Sequence, residues 1–215
     1  MRQPHYQKVT AAAATRPLLY ILWDANHLRW YFDNSLTHVR EAFNHLRDLA
    51  VKRGLDTPYI VILRGPEGTD IARATGADAI SSYISGFRAK DMGTYADLAG
   101  QTQRYWEKLR QSGASVVPIA MVGWDTRARQ ERPAPWDHGR KANLNPTRYF
   151  ALATPEELAA HLRTAVNYIS GNPKACPART LLIYSWNECD EGGGLIPTKG
   201  DPEGAYLSAI RDVLS

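Results

Sequence analysis

Along the chain, short aliphatic or β-branched runs alternate with longer stretches whose apolar residues recur at helical spacing, the pattern of parallel βα units. The run Pro17 to Asp24 predicts a first strand. A helix follows near Leu36 to Arg53, with Leu36, Val39, Phe43, Leu46, Leu49 and Ala50 on one face and Gly54 placed to end it. Tyr59 to Leu63 predicts a second strand, leading through a Gly/Pro turn to a short helical segment around Asp70 to Thr75, and Ala79 to Tyr83 a third. From about Thr94 to Gln111 the period is helical again, with Tyr95, Leu98, Tyr105, Trp106 and Leu109 forming a core stripe and Gly113 closing the helix. The strand Ser115 to Met121 comes next.

Residues Gly123 to Tyr149 are rich in Arg, Pro and Trp and show no period; a long irregular stretch in a compact domain points to function. The helix after it carries its own start signal, with Thr154 as N-cap, Pro155 at the first helical position and Glu157 completing a capping box. Leu158, Leu162, Val166 and Ile169 face inward from it. Thr180 to Trp186 predicts the fifth strand, and Glu203 to Leu214 a final amphipathic helix with Tyr206, Leu207, Ile210 and Val213 for packing. No repeat or linker interrupts the pattern, so residues 1–215 are expected to form one α/β domain. Five strands fall short of the eight of a (β/α) barrel and predict an open sheet or an incomplete barrel.

Composition narrows the partners. At 215 residues and 44% hydrophobic content the chain is able to bury a core of its own. Its net charge of +4 comes from basic residues spread along the chain, without a clustered face, an RNA-recognition signature or metal-finger spacing, so no nucleic acid is expected. No stretch approaches the apolar length of a membrane-spanning helix, and Met1 to Thr10 lack the apolar core of a signal peptide. A complete chain is therefore expected to be soluble, off the membrane and cytoplasmic. Cys176 and Cys189 leave both a pairing and the reduced state open.

In parallel βα architectures ligands bind beyond the carboxyl ends of the strands. Here those ends carry Trp23, Asp24, Asn26 and His27, then Arg64, then Tyr83, then Gly123 to Arg129, and last Asn187 to Gly194. The mixture suits a sugar, whose C–H faces stack on aromatic rings while amides, carboxylates and Arg meet its hydroxyls. Aromatic residues at strand ends also simply cap a core, so the constellation carries more weight than any one member. In Trp186-Asn187-Glu188-Cys189-Asp190-Glu191-Gly192-Gly193-Gly194 three carboxylates follow a strand and precede a glycine run. Glycosidic hydrolysis uses a proton donor and a second carboxylate, and a close pair on one loop supplies both; the plain alternative is a solvated acidic turn. The alternation of a calcium loop is missing, so neither metal nor other cofactor is expected.

The segment Tyr184-Ser185-Trp186-Asn187-Glu188-Cys189-Asp190-Glu191-Gly192, followed by Leu195-Ile196-Pro197, resembles the Trp-Asn-Glu-x-x-Glu-Gly strand-end motif of glycoside hydrolase family 99 and its polysaccharide-associated relatives. Pro118 to Arg129, with Gly123-Trp124-Asp125-Thr126-Arg127, resembles the family's proline-led Gly-Trp/Tyr-Asp segment. Gly76 to Tyr83 and Gly204-Ala205-Tyr206-Leu207 share its look. Cys189 stands where the family usually has Trp. Relatives carry roughly three further βα units ahead of this chain's start, so the resemblance implies the C-terminal part of a (β/α)8 barrel of TIM type, about five of eight units.

What the resemblance implies in function is endo-α-mannosidase-like, retaining chemistry on an α-linked oligosaccharide or polysaccharide, without a metal. By position Glu191 is the implied general acid/base and Glu188 the group assisting attack by the sugar's own 2-hydroxyl. Asn187, Trp186, Trp124, Asp125, Arg127 and Tyr83 are the implied substrate-binding residues, to which the strand-end rule adds Asp24. Unpaired strand edges in such a partial barrel imply a homodimer or a partner chain that completes it. The alternatives are a non-catalytic carbohydrate-binding or polysaccharide-biosynthesis accessory protein, an inactive fragment, and a nucleotide-sugar transferase. The last lacks a Gly-rich phosphate loop and an Asp-x-Asp motif.

Overall fold

The βα alternation is realised in the structure, a computed structural model that describes residues 3, 6–11, 14–85, 91–132 and 148–215. The elements among them are strands β1 (Lys8–Ala11) and β2 (Ala14–Leu22), helices α1 (Ala25–Phe32) and α2 (Leu36–Lys52), β3 (Tyr59–Leu63), α3 (Gly68–Thr75), β4 (Ala79–Ser81), α4 (Tyr95–Gln111), β5 (Ile119–Met121), α5 (Arg127–Glu131), α6 (Pro155–Gly171), β6 (Leu182–Tyr184), β7 (Asn187–Glu188), β8 (Gly193–Gly194) and α7 (Ala205–Leu214). The chain divides into two compact units, one made of Met1–Tyr83, Trp106–Pro118 and Ile169–Thr180, the other of Ile84–Tyr105, Ile119–Tyr168 and Leu181–Ser215.

In the first unit the sheet order is β1-β2-β3-β4. β1 pairs antiparallel with β2, whereas β2, β3 and β4 run parallel, with Leu18 opposite Tyr59 and Val61 opposite Ala79. Every residue of β3 is buried, as expected of a strand covered on both faces. Its start is fixed by charge. Asp78 accepts hydrogen bonds from Arg16 (2.7 and 3.0 Å), from Arg47 (3.1 Å) and from the backbone N–H of Ile60 (2.9 Å), tying β2, α2, β3 and the approach to β4 together. Ser35 caps α2 through the N–H of His38 (3.2 Å), and Val39, Phe43 and Ala50 are its buried face.

The second unit is built on the parallel pair β5 and β6, with Ile119 opposite Leu182 and Met121 opposite Tyr184. Leu98, Ile119, Met121, Phe150, Leu158, Leu162 and Tyr184 form its core. Both long helices begin with reciprocal caps. The Thr94 N–H donates to Asp97 (2.8 Å) while Thr94 Oγ accepts from the Asp97 N–H (3.1 Å), and Thr154 and Glu157 repeat the exchange at 2.8 and 3.2 Å. At α7 the Asp201 carboxylate takes the N–H groups of Ala205 (2.7 Å) and Tyr206 (3.3 Å).

All five expected strands are present: β3 has the bounds of its apolar run, β2 begins three residues earlier and ends two sooner than its run, and β4, β5 and β6 are shorter than theirs; the expected helices begin and end within a few residues of their signals. The sequence pattern did not show β1, α1 or the β7–β8 ribbon. Within the irregular stretch after β5, α5 is found; residues 133–147 lie outside the described residues. No helix among the described residues is long and apolar enough to cross a membrane.

His161 on α6 is buried at 2% exposure, edge-on to the Tyr95 ring with centroids 6.1 Å apart, and burial lowers its pKa from 6.5 to about 4. The unfolded chain thus takes up a proton here near pH 6.5 and the folded chain only near 4. Between those values the unfolded state binds more protons, so stability falls as pH falls, by about 3 kcal/mol in all. Urea midpoints at pH 7, 5 and 4 are expected to drop less in His161→Leu than in wild type; parallel losses would contradict the assignment.

Candidate functional site

The ends of β5 and β6 are laced together by backbone. The N–H of Val122 donates to the carbonyl of Tyr184 (2.8 Å), and the N–H of Asp125 donates to the carbonyl of Glu191 (2.8 Å). So close an approach leaves no room for side chains at two positions. A Cβ on Gly123 would lie 2.3 Å from the carbonyl oxygen of Gly192, and one on Gly192 would lie 2.8 Å from the Asp125 nitrogen. Gly192 also has φ of +69°, a left-handed conformation that favours glycine.

After β6 the chain forms the β7–β8 ribbon, with Asn187 opposite Gly194 and Glu188 opposite Gly193, and the 3₁₀ turn Cys189–Glu191 at its tip. Ser185 secures the entry, its hydroxyl donating to Gly193 O (2.8 Å) and accepting from the N–H of Glu188 (3.2 Å). The turn sets Glu188 and Glu191 three residues apart on one tip. Both meet Arg129, which reaches over from α5.

The Arg129 guanidinium spreads over three carboxylates. Nε donates to Asp190 (2.7 Å), Nη1 to Glu191 and Nη2 to Glu188 (3.4 Å). The second oxygen of Glu191 accepts from the hydroxyl of buried Tyr184. Burial is graded across the group. Glu191 is buried at 8% exposure, while the side chains of Glu188 and Asp190 are 29% and 42% exposed. Burial pushes the Glu191 carboxyl above its usual range, more than the neighbouring guanidinium pulls it down. For Arg129 partial burial works against the charge, but the hydrogen bond to Asp190 and the negative charges of Glu191, Asp190 and Glu188 outweigh it and raise its pKa.

A second ion pair lies beside the first. Arg127 grips Asp125 through Nε (2.9 and 3.1 Å) and Nη2 (2.6 Å), and its guanidinium sits 3.5 Å from the centre of the Tyr149 ring. Burial tends to raise the Asp125 carboxyl, yet the hydrogen bonds from Arg127 prevail and hold it below the ordinary carboxylate range. Trp124 is half-buried against Tyr184, with ring centroids 6.2 Å apart, whereas Trp186 is 57% exposed. Asn187 opens β7 and is exposed. A cavity of about 260 Å³ flanks the turn, lined by Val122, Leu152, Cys189, Gly192, Gly194 and Tyr206 among others. It lies just below the roughly 300–1,000 Å³ usual for small-molecule pockets. Among the described residues no group of three or more His, Cys, Asp or Glu side chains is placed to hold a metal ion.

No protein-family model matches the chain, and no curated protein matches it in sequence. Among solved structures it is similar to the GH99 endo-alpha-mannosidase from Bacteroides thetaiotaomicron, with 13% identity and a TM-score of 0.50 over 94% of this chain and 65% of that one. The likeness is one of fold. A second structure of that mannosidase, in complex with BIS-TRIS-propane, aligns with 13% identity and a TM-score of 0.49, over 93% of this chain and 68% of that one. A xylose isomerase domain protein from Planctomyces limnophilus aligns at 14% identity and 0.32, over 92% and 76%. The chain spans 65% of the length of the first of these structures.

Of the residues singled out in the sequence, Glu188, Glu191, Asn187, Trp186, Trp124, Asp125 and Arg127 all lie on the loops that follow β5 and β6. Tyr83 and Asp24 belong to the other unit, where Tyr83 follows β4 at 38% exposure and Asp24 caps α1 through the N–H of Asn26 (2.6 Å). Two members of the carboxylate group, Arg129 and Tyr184, fall within the strand-end range and the motif read from the sequence but have no role of their own there. Their signals were slight: an Arg two residues beyond Arg127, and a Tyr in a strand that reads as core.

The close approach at Gly192 has a measurable cost. Gly192→Ala is expected to destabilise the chain by about 2 kcal/mol or more in urea, since strain at φ of +69° adds to a backbone clash. Gly113→Ala, with φ of +78° and nothing within 4 Å, is expected to cost only about 1 kcal/mol. Equal losses would contradict the packing described.

Proposed function

We propose that this chain is a glycoside-hydrolase-like carbohydrate-active protein acting on α-linked oligosaccharide or polysaccharide, with Glu191 as general acid/base and Glu188 as its partner. The observation that carries the proposal is a pair of glutamates on one strand-end turn in unequal surroundings, Glu191 buried with raised proton affinity and Glu188 nearer solvent. Added support comes from the fold shared with the GH99 endo-alpha-mannosidase and from the Trp-Asn-Glu-x-x-Glu-Gly resemblance of this loop. In fold terms we take the chain to be about five βα units of a (β/α)8 barrel.

In the proposed reaction Glu188 accepts the proton of the sugar 2-hydroxyl as that oxygen attacks the anomeric carbon. Glu191 gives its proton to the departing glycosidic oxygen, so one C–O bond forms as another breaks and an anhydro-sugar results. Glu191, now ionised, draws a proton from the water that attacks the anomeric carbon, the bond from that carbon to the 2-oxygen breaks, Glu188 returns its proton to that oxygen, and configuration is retained. Exposed Trp186 offers a face for a sugar ring, with Asn187 next to it in sequence and Trp124 on the loop after β5 as further substrate-binding residues. Asp125 and Arg127, locked to each other, act as a support for the loop that carries Trp124.

One observation favours a second reading, a carbohydrate-binding protein without turnover: both oxygens of Glu191 are engaged, one by Arg129 and one by Tyr184. Product analysis separates the two. Incubated with α-mannan and α-glucan oligosaccharides, wild type is expected to release shorter products, and Glu191→Gln to do so at least about a hundredfold more slowly while still binding the sugar. Binding without products from folded wild type would reject the enzyme and leave the binder.

A further inference from the structure

Arg129 is held where the proposed chemistry is most sensitive, and its three partners belong to a single turn some sixty residues further along the chain. We propose that Arg129 is the positioning residue for both glutamates, fastening Glu188 and Glu191 to one guanidinium and governing when Glu191 carries a proton; the catalytic part of this rests on the carbohydrate reading above.

The geometry needs an arginine. Nε, Nη1 and Nη2 each address a different carboxylate, an arrangement that a planar fork holds at fixed angles and an ammonium group does not. The Arg129 side chain is 19% exposed, so its charge is screened less than that of a surface arginine. Among the described residues, the charged and titratable groups bonded to Glu191 or sharing its guanidinium are Arg129 from α5, Tyr184 from β6, and Glu188 and Asp190 from its own turn. Asp125, whose N–H meets the Glu191 carbonyl, is itself paired with Arg127. Arg129 is therefore the one cation directly bonded to Glu191 among the described residues, set against burial, which favours the protonated acid.

An acid/base residue must hold a proton in one half of the reaction and lack it in the other. Burial favours the protonated form of Glu191, whereas a guanidinium at hydrogen-bond range favours the ionised form. The position of α5, which carries Arg129, thereby becomes part of the acid/base machinery without touching the sugar.

The test reads the Glu191 carboxyl directly. In carbon-detected NMR titrations of wild type, Arg129→Gln and Arg129→Lys, Glu191 is expected to titrate about one pH unit or more higher in the Gln variant and close to wild type in the Lys variant. An unchanged Glu191 midpoint in folded Arg129→Gln would overturn the proposal. Should that variant not fold, wild type alone decides: the Arg129 Nη1–H resonances, which meet Glu191, are expected to titrate with the same midpoint as the Glu191 carboxyl, and unrelated midpoints would overturn it. Where cleavage is measurable, the alkaline limb of kcat/KM is expected to move upward with the Glu191 midpoint in Arg129→Gln. A shifted midpoint in a chain that cleaves nothing would sink the glycosidase reading and leave Arg129 as the controlling group.

Discussion

One guanidinium shared among three carboxylates is the interaction on which the candidate site depends. Glu188, Asp190 and Glu191 sit on a tight turn, and bringing three like charges so close is unfavourable unless a cation lies among them. Arg129 is that cation, and it reaches the turn because the chain after β5 is laced by backbone to the chain after β6. The lacing depends on two glycines, Gly123 and Gly192, whose lack of a side chain lets the Asp125 N–H meet the Glu191 carbonyl. Strand pairing, glycine placement and charge are thus consecutive links in one chain of cause.

The same dependence explains what the sequence made legible. Strand positions follow from apolar runs, because a buried parallel strand leaves no polar positions, and Tyr59–Leu63 was read to the residue. The start of α6 was legible because Thr154, Pro155 and Glu157 interact only with their own helix end. The strand-end rule likewise directed attention to Glu188 and Glu191. What stayed hidden depends on partners distant in sequence. β1 is a short run that exists only by pairing with β2, and α1 buries none of its residues and so lacks an inward apolar stripe. Arg129 gains its meaning from residues some sixty positions away, and no local spacing announces it.

Fold and chemistry rest on different grounds here. The likeness to a GH99 endo-alpha-mannosidase at 13% identity concerns the path of the backbone. The functional reading rests on side chains: a buried glutamate of raised proton affinity beside a more exposed one, an aromatic face at Trp186, and a cavity flanking the turn. Such a grouping at the carboxyl ends of parallel strands is where a βα protein gathers its chemistry, since loops there vary above a rigid floor.

The measurement that addresses this most directly is NMR shift mapping of the isotope-labelled chain during titration with α-mannan oligosaccharides, with α-glucan oligosaccharides in parallel. The account predicts saturable shifts centred on Ser185 to Gly194 and on Gly123 to Arg129. Saturable shifts centred elsewhere, or none in a folded sample, would contradict it.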